Sequence, residues 1–191
     1  AQGPPAEVIL ATYVVDGNAN YTLGIDVDDK PFIRFDPDPN VQAGSAVIAK
    51  STVALQANEW VHLAGMFGTE LLTLVVDGER AAQLATGFIP ATGEGALTIG
   101  QNLKGDLVEM RFWSSARDIS MIANDMRSFV MFLPPGGVGV LNGTMTQTAD
   151  PRSTFQQLSS GGTVEAWVHV PALSGATGAV VGRPVAMRAN P

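Results

Sequence analysis

The sequence predicts an all-β sandwich of two antiparallel sheets with one short helix. Three observations predict it. Short strand-like runs recur along the chain with turn residues between them. Gly 21 and Pro 12 in 191 residues supply many turns and leave little room for long helices. The stretch from Glu59 to Trp113 then packs four such runs in a row. They are Glu59 to Gly65, Leu71 to Gly78, Leu97 to Gly100 and Gly105 to Trp113, and none is long enough to span a membrane.

In order along the chain, residues 1–6 read as a tail or lead-in strand. Glu7 to Val15 reads as a strand, and Asp16-Gly17-Asn18 as a hairpin turn. Tyr21 to Val27 alternates Tyr, Leu, Ile and Val against Thr, Gly and Asp, the pattern of a half-buried strand. Asp28 to Pro31 turns the chain and Phe32 to Phe35 returns it. Pro37 and Pro39 keep Asp36 to Asn40 out of any central strand. Ala46 to Lys50 and Thr52 to Leu55 read as one strand with a break. Asp77-Gly78, between Leu72 to Val76 and Ala81 to Leu84, is a strong hairpin signal.

The helix follows Trp113. Asp118 is placed to cap it, and Ile119, Ile122 and Met126 fall at helical spacing. Met121, Met126, Phe129 and Phe132 make an apolar run expected to pack as core. Pro134-Pro135-Gly136-Gly137 ends it. Beyond lie further strand-like runs: Val138 to Met145, Ser153 to Leu158, Thr163 to Val170 and Ala179 to Val185. Thr163 to Val170 (TVEAWVHV) has the best strand pattern of the C-terminal third.

Composition bounds the function. Hydrophobic residues are 46% and charged ones 15%, which argues against whole-chain disorder. A net charge of −7 disfavours nucleic acid and anionic membrane, which need a basic footprint. Without cysteine there is no disulfide framework, thiolate metal site or cysteine nucleophile. Ala1-Gln2 is compatible with a mature terminus left by cleavage after a small residue. Asn20-Tyr21-Thr22 and Asn142-Gly143-Thr144 match the glycosylation sequon, a pattern short enough to arise by chance.

The order of Glu59-Trp60-Val61-His62-Leu63-Ala64, Leu74 to Glu79, Leu97 to Gly100 and Gly105 to Trp113 resembles the laminin G-like, concanavalin A-like lectin/glucanase family. Ala116-Arg117-Asp118 and the short helix resemble that family too, and the likeness covers roughly residues 8–130. Val108 departs from the pattern, which often has an acidic residue there. The resemblance implies a jelly-roll β-sandwich, and binding or adhesion outside the cell with glycans or proteins as ligands.

One feature of the resemblance is out of order. In the family, a strand similar to Thr163-Val164-Glu165-Ala166-Trp167-Val168 comes near the start of the domain, followed by one similar to Gly178 to Arg183. Here both come last, while Glu7 to Ala11 also resembles the second. Residues 1–150 are therefore expected to form the sandwich, and 151–191 a C-terminal segment completing it or that of a neighbouring copy. A truncated second repeat is the third reading. A sandwich lacking a central strand exposes backbone groups and an apolar slot that must be filled. Thr163 to Val168 and Val170 are the expected assembly strand. Deleting residues 163–191 should then stop assembly or spoil the core.

The candidate chemistry is sparse. Retaining glycosidases of this class set two carboxylates on one strand face at Glu-x-Asp-x-Glu spacing. Glu59, Glu70, Glu79, Glu109 and Glu165 lack such a partner, so the chain is read as non-enzymatic. His62 and His169 each follow a Trp-Val pair and read as strand histidines with a structural hydrogen bond. No metalloprotease, phosphate-loop or dinucleotide motif is present. Trp60, Trp113 and Trp167 sit in apolar strand context and are expected to pack as core rather than serve as sugar platforms. Asp26, Asp28, Asp29, Asp36 and Asp38 lie in adjacent turns, where Asp is common for its turn chemistry. If these loops hold a metal, calcium is the ion they suit.

The expected function is a secreted or cell-surface structural or adhesion module acting through protein–protein contact. Its partners would be other copies of itself or neighbouring domains, joined head to tail by strand donation. The alternative is a calcium-assisted carbohydrate-binding module with a glycan partner. Neither reading calls for nucleic acid or membrane insertion.

Overall fold

The structure, a computed structural model, describes residues 6–127, 139–141, 161–171 and 185–187. The first sheet is built from β1 (Val8–Val15), β2 (Asn18–Ile25), β3 (Pro31–Phe35), β4 (Val47–Lys50) and β8 (Ala96–Gln101). Its order is β4-β3-β2-β1-β8, with every pair antiparallel. The second sheet holds β5 (Trp60–Gly68), β6 (Leu71–Val76), β7 (Glu79–Ala85), β9 (Asp106–Trp113) and β11 (Gly161–His169). Its order is β7-β6-β5-β11-β9, again antiparallel throughout. Helix α1 (Ile119–Asp125) follows β9. A short antiparallel pair joins β10 (Gly139–Leu141) to β12 (Val185–Met187). The two antiparallel five-stranded sheets and, among the described residues, the single helix bear out the expected jelly-roll sandwich.

The turns follow their residues. Asp16-Gly17 and Asp77-Gly78 both adopt positive φ, the geometry of two-residue hairpins between twisted strands. Between the sheets lies one core. Leu10, Tyr13, Tyr21, Leu23, Ile33 and Phe35 of the first sheet meet Leu63, Phe67, Leu72, Leu74, Val164, Ala166 and Val168 of the second. Phe35 and Phe67 touch edge to face with ring centroids 5.3 Å apart. Gly65 lets the sheets approach: a Cβ there would lie 2.6 Å from Cδ1 of Ile33.

A second, smaller cluster lies on the outer face of the second sheet, where Ala64, Met66 and Val75 pack against Ile122 and Ile119 of α1. The sandwich is thus covered on one outer side by its helix. Among the described residues no helix is long and apolar enough to cross a membrane, which leaves strand-based crossing untouched.

Several expectations are corrected. Thr52 to Leu55 is not strand; Ser51 Oγ and Val53 close a tight turn there, and Leu55 N–H donates to Asp29 O. Strand β2 is buried on both faces from Asn20 onward, not half-buried, and the loop at Ala91 covers its start, where it accepts from Asn20 Nδ2. Asp118 caps α1 through its carbonyl, which accepts from Met121 and Ile122, and its side chain makes no cap bond. Met121 is exposed because it falls on the face of α1 away from the sheet, while Ile122 and Met126 are buried. The sequon at Asn20 is no open acceptor: Asn20 is fully buried and its Nδ2 donates to Ala91 O. Of the run Val138 to Met145, Gly139–Leu141 is strand and the remainder lies outside the described residues. So do Ser153 to Leu158, Phe129, Phe132, Asn142 and the run Ala179 to Pro184, while Val185 opens β12.

Candidate functional site

Strand β11 lies inside the second sheet, between β5 and β9, although it is the last long strand of the described residues. It pairs with β5 from Gly161↔Gly68 to His169↔Trp60, and with β9 from Thr163↔Trp113 to His169↔Asp106. Its alternation divides the expected assembly residues into two sets. Val164, Ala166 and Val168 point into the core, and Val170, just past the strand, is buried with them. Thr163, Glu165 and Trp167 take the opposite face.

Thr163, Glu165 and Trp167 reach β9, the segment after it and the far end of α1. Thr163 Oγ1 donates to Ser115 O at 3.0 Å and accepts from Arg117 N–H at 3.0 Å. Trp167 Nε1 donates to Met126 O at 2.7 Å. Glu165 Oε1 accepts from Trp113 Nε1 at 2.9 Å. The same oxygen lies 3.5 Å from Arg111 Nη1 and 3.6 Å from Arg117 Nη1. Glu165 is fully buried, Arg111 nearly so.

The two arginines are held from several sides. Arg111 pairs with Glu109 at 2.7 Å and donates to Asp125 O at 3.0 Å. Arg117 pairs with Asp125 and lies over the Trp113 ring, its guanidinium carbon 4.2 Å from the centroid. His62 on β5 closes the cluster, with Nε2 3.7 Å from Glu165 Oε2 and its ring edge-on to Trp167. Burial pushes the Glu165 carboxyl up from its usual range, while the Trp113 N–H and the two guanidiniums pull it partly back. Burial, aided by the nearby Arg111 charge, lowers His62 to about 4. The Nδ1 of His62 has no hydrogen-bond partner, so the structural bond expected for this histidine is not made through that atom. A buried neutral imidazole meets the cost of burial by staying uncharged.

This arrangement fixes structure better than it does chemistry. Glycoside hydrolysis needs two carboxyl groups facing a bond that substrate can reach. Glu165 is sealed and held between guanidiniums, and Glu109 is taken by Arg111. Val108, where the resembled pattern is often acidic, pairs with Trp167 in the β9–β11 register.

The tryptophans split as well. Trp113 and Trp167 serve this cluster through their indole N–H groups. Trp60 does not pack as core: it is 46% exposed, because it opens β5 at the sheet's end. Its ring lies against His169, 5.3 Å between centroids, and His169 Nδ1 is 3.4 Å from Asp106 Oδ2.

The turn aspartates Asp26, Asp36 and Asp38 bind separate partners, and Asp28 meets Asp26 through its N–H. Asp26 Oδ1 accepts from the Asp28 and Lys30 N–H groups, and Oδ2 pairs with Lys50 Nζ at 3.0 Å. Burial pushes the Asp26 carboxyl up, but the backbone donors and Lys50 outweigh it and hold it below the usual range. Asp36 Oδ2 accepts from Ala19 N–H at 2.7 Å, and Asp38 Oδ1 from Asn40 N–H at 2.9 Å. Asp29 takes a left-handed turn conformation. Among the described residues, no three His, Asp or Glu side chains are grouped to hold a metal.

A family model described as the concanavalin A-like lectin/glucanases superfamily, of laminin G type, matches residues 3–123. The chain belongs to this superfamily. The matched span takes in β1 to β9 and enters α1, so β11, seated between β5 and β9, comes from outside it. No curated protein and no solved structure matches the chain.

Sequence reasoning missed Arg111 and Arg117. The signal was present in TVEAWV: a lone Glu in an otherwise apolar strand must find a cation or donors when the strand is buried on both faces. Which cations it finds depends on a β9 bulge that no pattern announces.

Proposed function

We propose that this member of the superfamily is a non-enzymatic structural or adhesion module, secreted or at the cell surface, that acts through protein–protein contact. The observation that carries this reading is the position of β11. The most elaborate polar cluster of the described residues is used to seat that strand, and its one fully buried carboxylate is closed to substrate. Closure of the sandwich, rather than an open catalytic cleft, is what these side chains accomplish. The acidic net charge favours protein partners over nucleic acid.

A carbohydrate-binding module is the second reading, and one observation favours it. Trp60 offers an exposed aromatic surface beside His169 and Asp106, and such amphipathic rings suit a partly polar ligand. The calcium-assisted form of this reading draws on the Asp26 to Asp38 turns.

A glycan array, run with the intact chain with and without calcium, separates the two. Reducing-sugar release from the same glycans tests for hydrolysis. The module acting through protein contact shows neither binding nor turnover. Saturable glycan binding abolished by Trp60→Ala establishes the second reading instead, and glycan turnover removes both.

A further inference from the structure

We propose that the gap between β5 and β9 is an exchangeable strand-receiving site, and that the partner it takes is β11 of a second copy of this chain. The proposal rests on the reading of protein contact above and names the partner.

The gap requires a strand. Without β11, the facing edges of β5 and β9 would present unpaired N–H and C=O groups, and the core would lose Val164, Ala166 and Val168. Buried or edge backbone in that condition is a template for another strand. Strand addition to such an edge is an established mode of protein association.

The gap is also selective. A strand entering it meets Arg111, Arg117 and the Trp113 N–H at its centre, Ser115 O and the Arg117 N–H at one end, and Met126 O toward the other. The occupant must therefore carry a hydroxyl, a carboxylate and an indole at alternate positions, in that order. Thr163, Glu165 and Trp167 do so. A slip of one residue would turn Glu165 into the apolar core. A slip of two would carry it away from both guanidiniums. A strand of unrelated sequence takes away the carboxylate that Arg111 and Arg117 share, which is costly. A second copy of this chain brings the matching strand.

The connection permits the exchange. Residues 128–160, which include β10, lead from the end of the first described stretch to β11, and a chain of that length can span at most about 110 Å. Contacts made by β11 are the same whether it comes from its own chain or another. The difference is the effective concentration of a strand carried on the same chain, which for linked segments can reach the order of millimolar. Dilute chains therefore close on themselves. Chains crowded to comparable local concentrations, as in an array, exchange strands once opened.

The absence of cysteine supplies a clean test in the full chain. Trp60 and His169 are paired across β5 and β11 at the end of the sheet, and directly opposed residues lie within disulfide reach. Full-length Trp60→Cys and His169→Cys chains, one of them tagged, are mixed at about 1 mM, opened with mild denaturant, returned to buffer and oxidised. Exchange gives a tagged–untagged disulfide-linked dimer well above the dimer that either variant forms alone. The double variant, oxidised when dilute, gives a monomer linked within one chain. A mixture with no excess dimer, beside a double variant that closes within one chain, overturns exchange. A double variant that fails to close at all removes the β5–β11 pairing itself.

Should either substitution disturb folding, light scattering on the unsubstituted chain taken through the same cycle decides the matter. Dimers that persist on dilution support exchange, and a monomer at every concentration overturns it. Failure here leaves the protein-contact reading standing, whereas glycan turnover would remove that reading and leave exchange untouched.

Discussion

The indole N–H of Trp113 donates to Glu165 across 2.9 Å, joining β9 to the strand that reaches the sheet last in sequence. The bond does more than pair two side chains. It turns the Trp113 ring so that Arg117 lies over its face, and Arg117 in turn reaches Asp125 at the end of α1. One buried carboxylate thus organises the strand, the loop and the helix that follow β9.

Replacing Glu165 should therefore cost more than its own contacts. Glu165→Leu removes the carboxylate that Arg111 and Arg117 share, and loss of one partner from a buried pair costs about 3 kcal/mol or more. Glu165→Gln keeps a carbonyl for the indole and should recover about 1 kcal/mol of that loss. Urea denaturation measures both as a fall in midpoint. Equal midpoints for Glu165→Leu and the parent chain would show that the cluster contributes nothing to closure.

Gly65 and Ile33 test the sheet spacing. Ile33 is fully buried and cannot swing clear of an added Cβ whose nearest atom is 2.6 Å away. Gly65→Ala should destabilise by about 1–3 kcal/mol through overpacking. Adding Ile33→Val removes Cδ1 and should recover part of the loss, so the two changes are coupled rather than additive. Denaturant midpoints of the two single variants and the double variant close the cycle.

Much of this fold was legible because its strands alternate and its turns carry the right residues. Asp16-Gly17 and Asp77-Gly78 announce hairpins, and Leu72 to Val76 between turns announces a strand. The Glu165 cluster was harder to read. Strict alternation along β9 places Leu107, Glu109, Arg111 and Trp113 on one face. The structure puts Leu107 and Met110 in the core yet turns Arg111 and Trp113 outward. Glu109 at φ 56 and the register shift opposite Glu165 and Trp167 mark the bulge that makes the change. Bulges depend on pairing with a distant strand, so local pattern does not show them. Trp60 was misread for a related reason: apolar neighbours suggest burial, but its place at the start of β5 leaves the ring at the sheet's end.

Calcium is the next test. Asp26 already holds two backbone N–H groups and the Lys50 ammonium, while Asp36 and Asp38 cap separate stretches of backbone. An ion taken by these aspartates would have to displace those partners. Calorimetric titration with calcium should give no saturable heat, and the melting midpoint should not move. Saturable uptake lost in Asp26→Asn would assign the turns a metal and strengthen the carbohydrate reading.

The last prediction concerns acid. His62 is buried on β5 and held to about 4, below its ordinary 6.5, chiefly by burial and then by the Arg111 charge. In the unfolded chain the imidazole takes a proton as pH falls below 6.5; in the folded chain it resists until about 4. Between those values the unfolded state binds more protons, so stability falls as pH falls. The full loss from His62 approaches about 3 kcal/mol. Glu165 opposes it, because a carboxyl raised by burial binds its proton more readily when folded and gains stability as pH falls through its raised folded value toward its ordinary 4.5. His62→Gln removes the first contribution and keeps the second. The stability advantage of the parent chain over His62→Gln should therefore shrink steadily from pH 7 to pH 4, read from urea midpoints at each pH. Parallel profiles would mean that His62 is no harder to protonate in the folded chain than in the unfolded one.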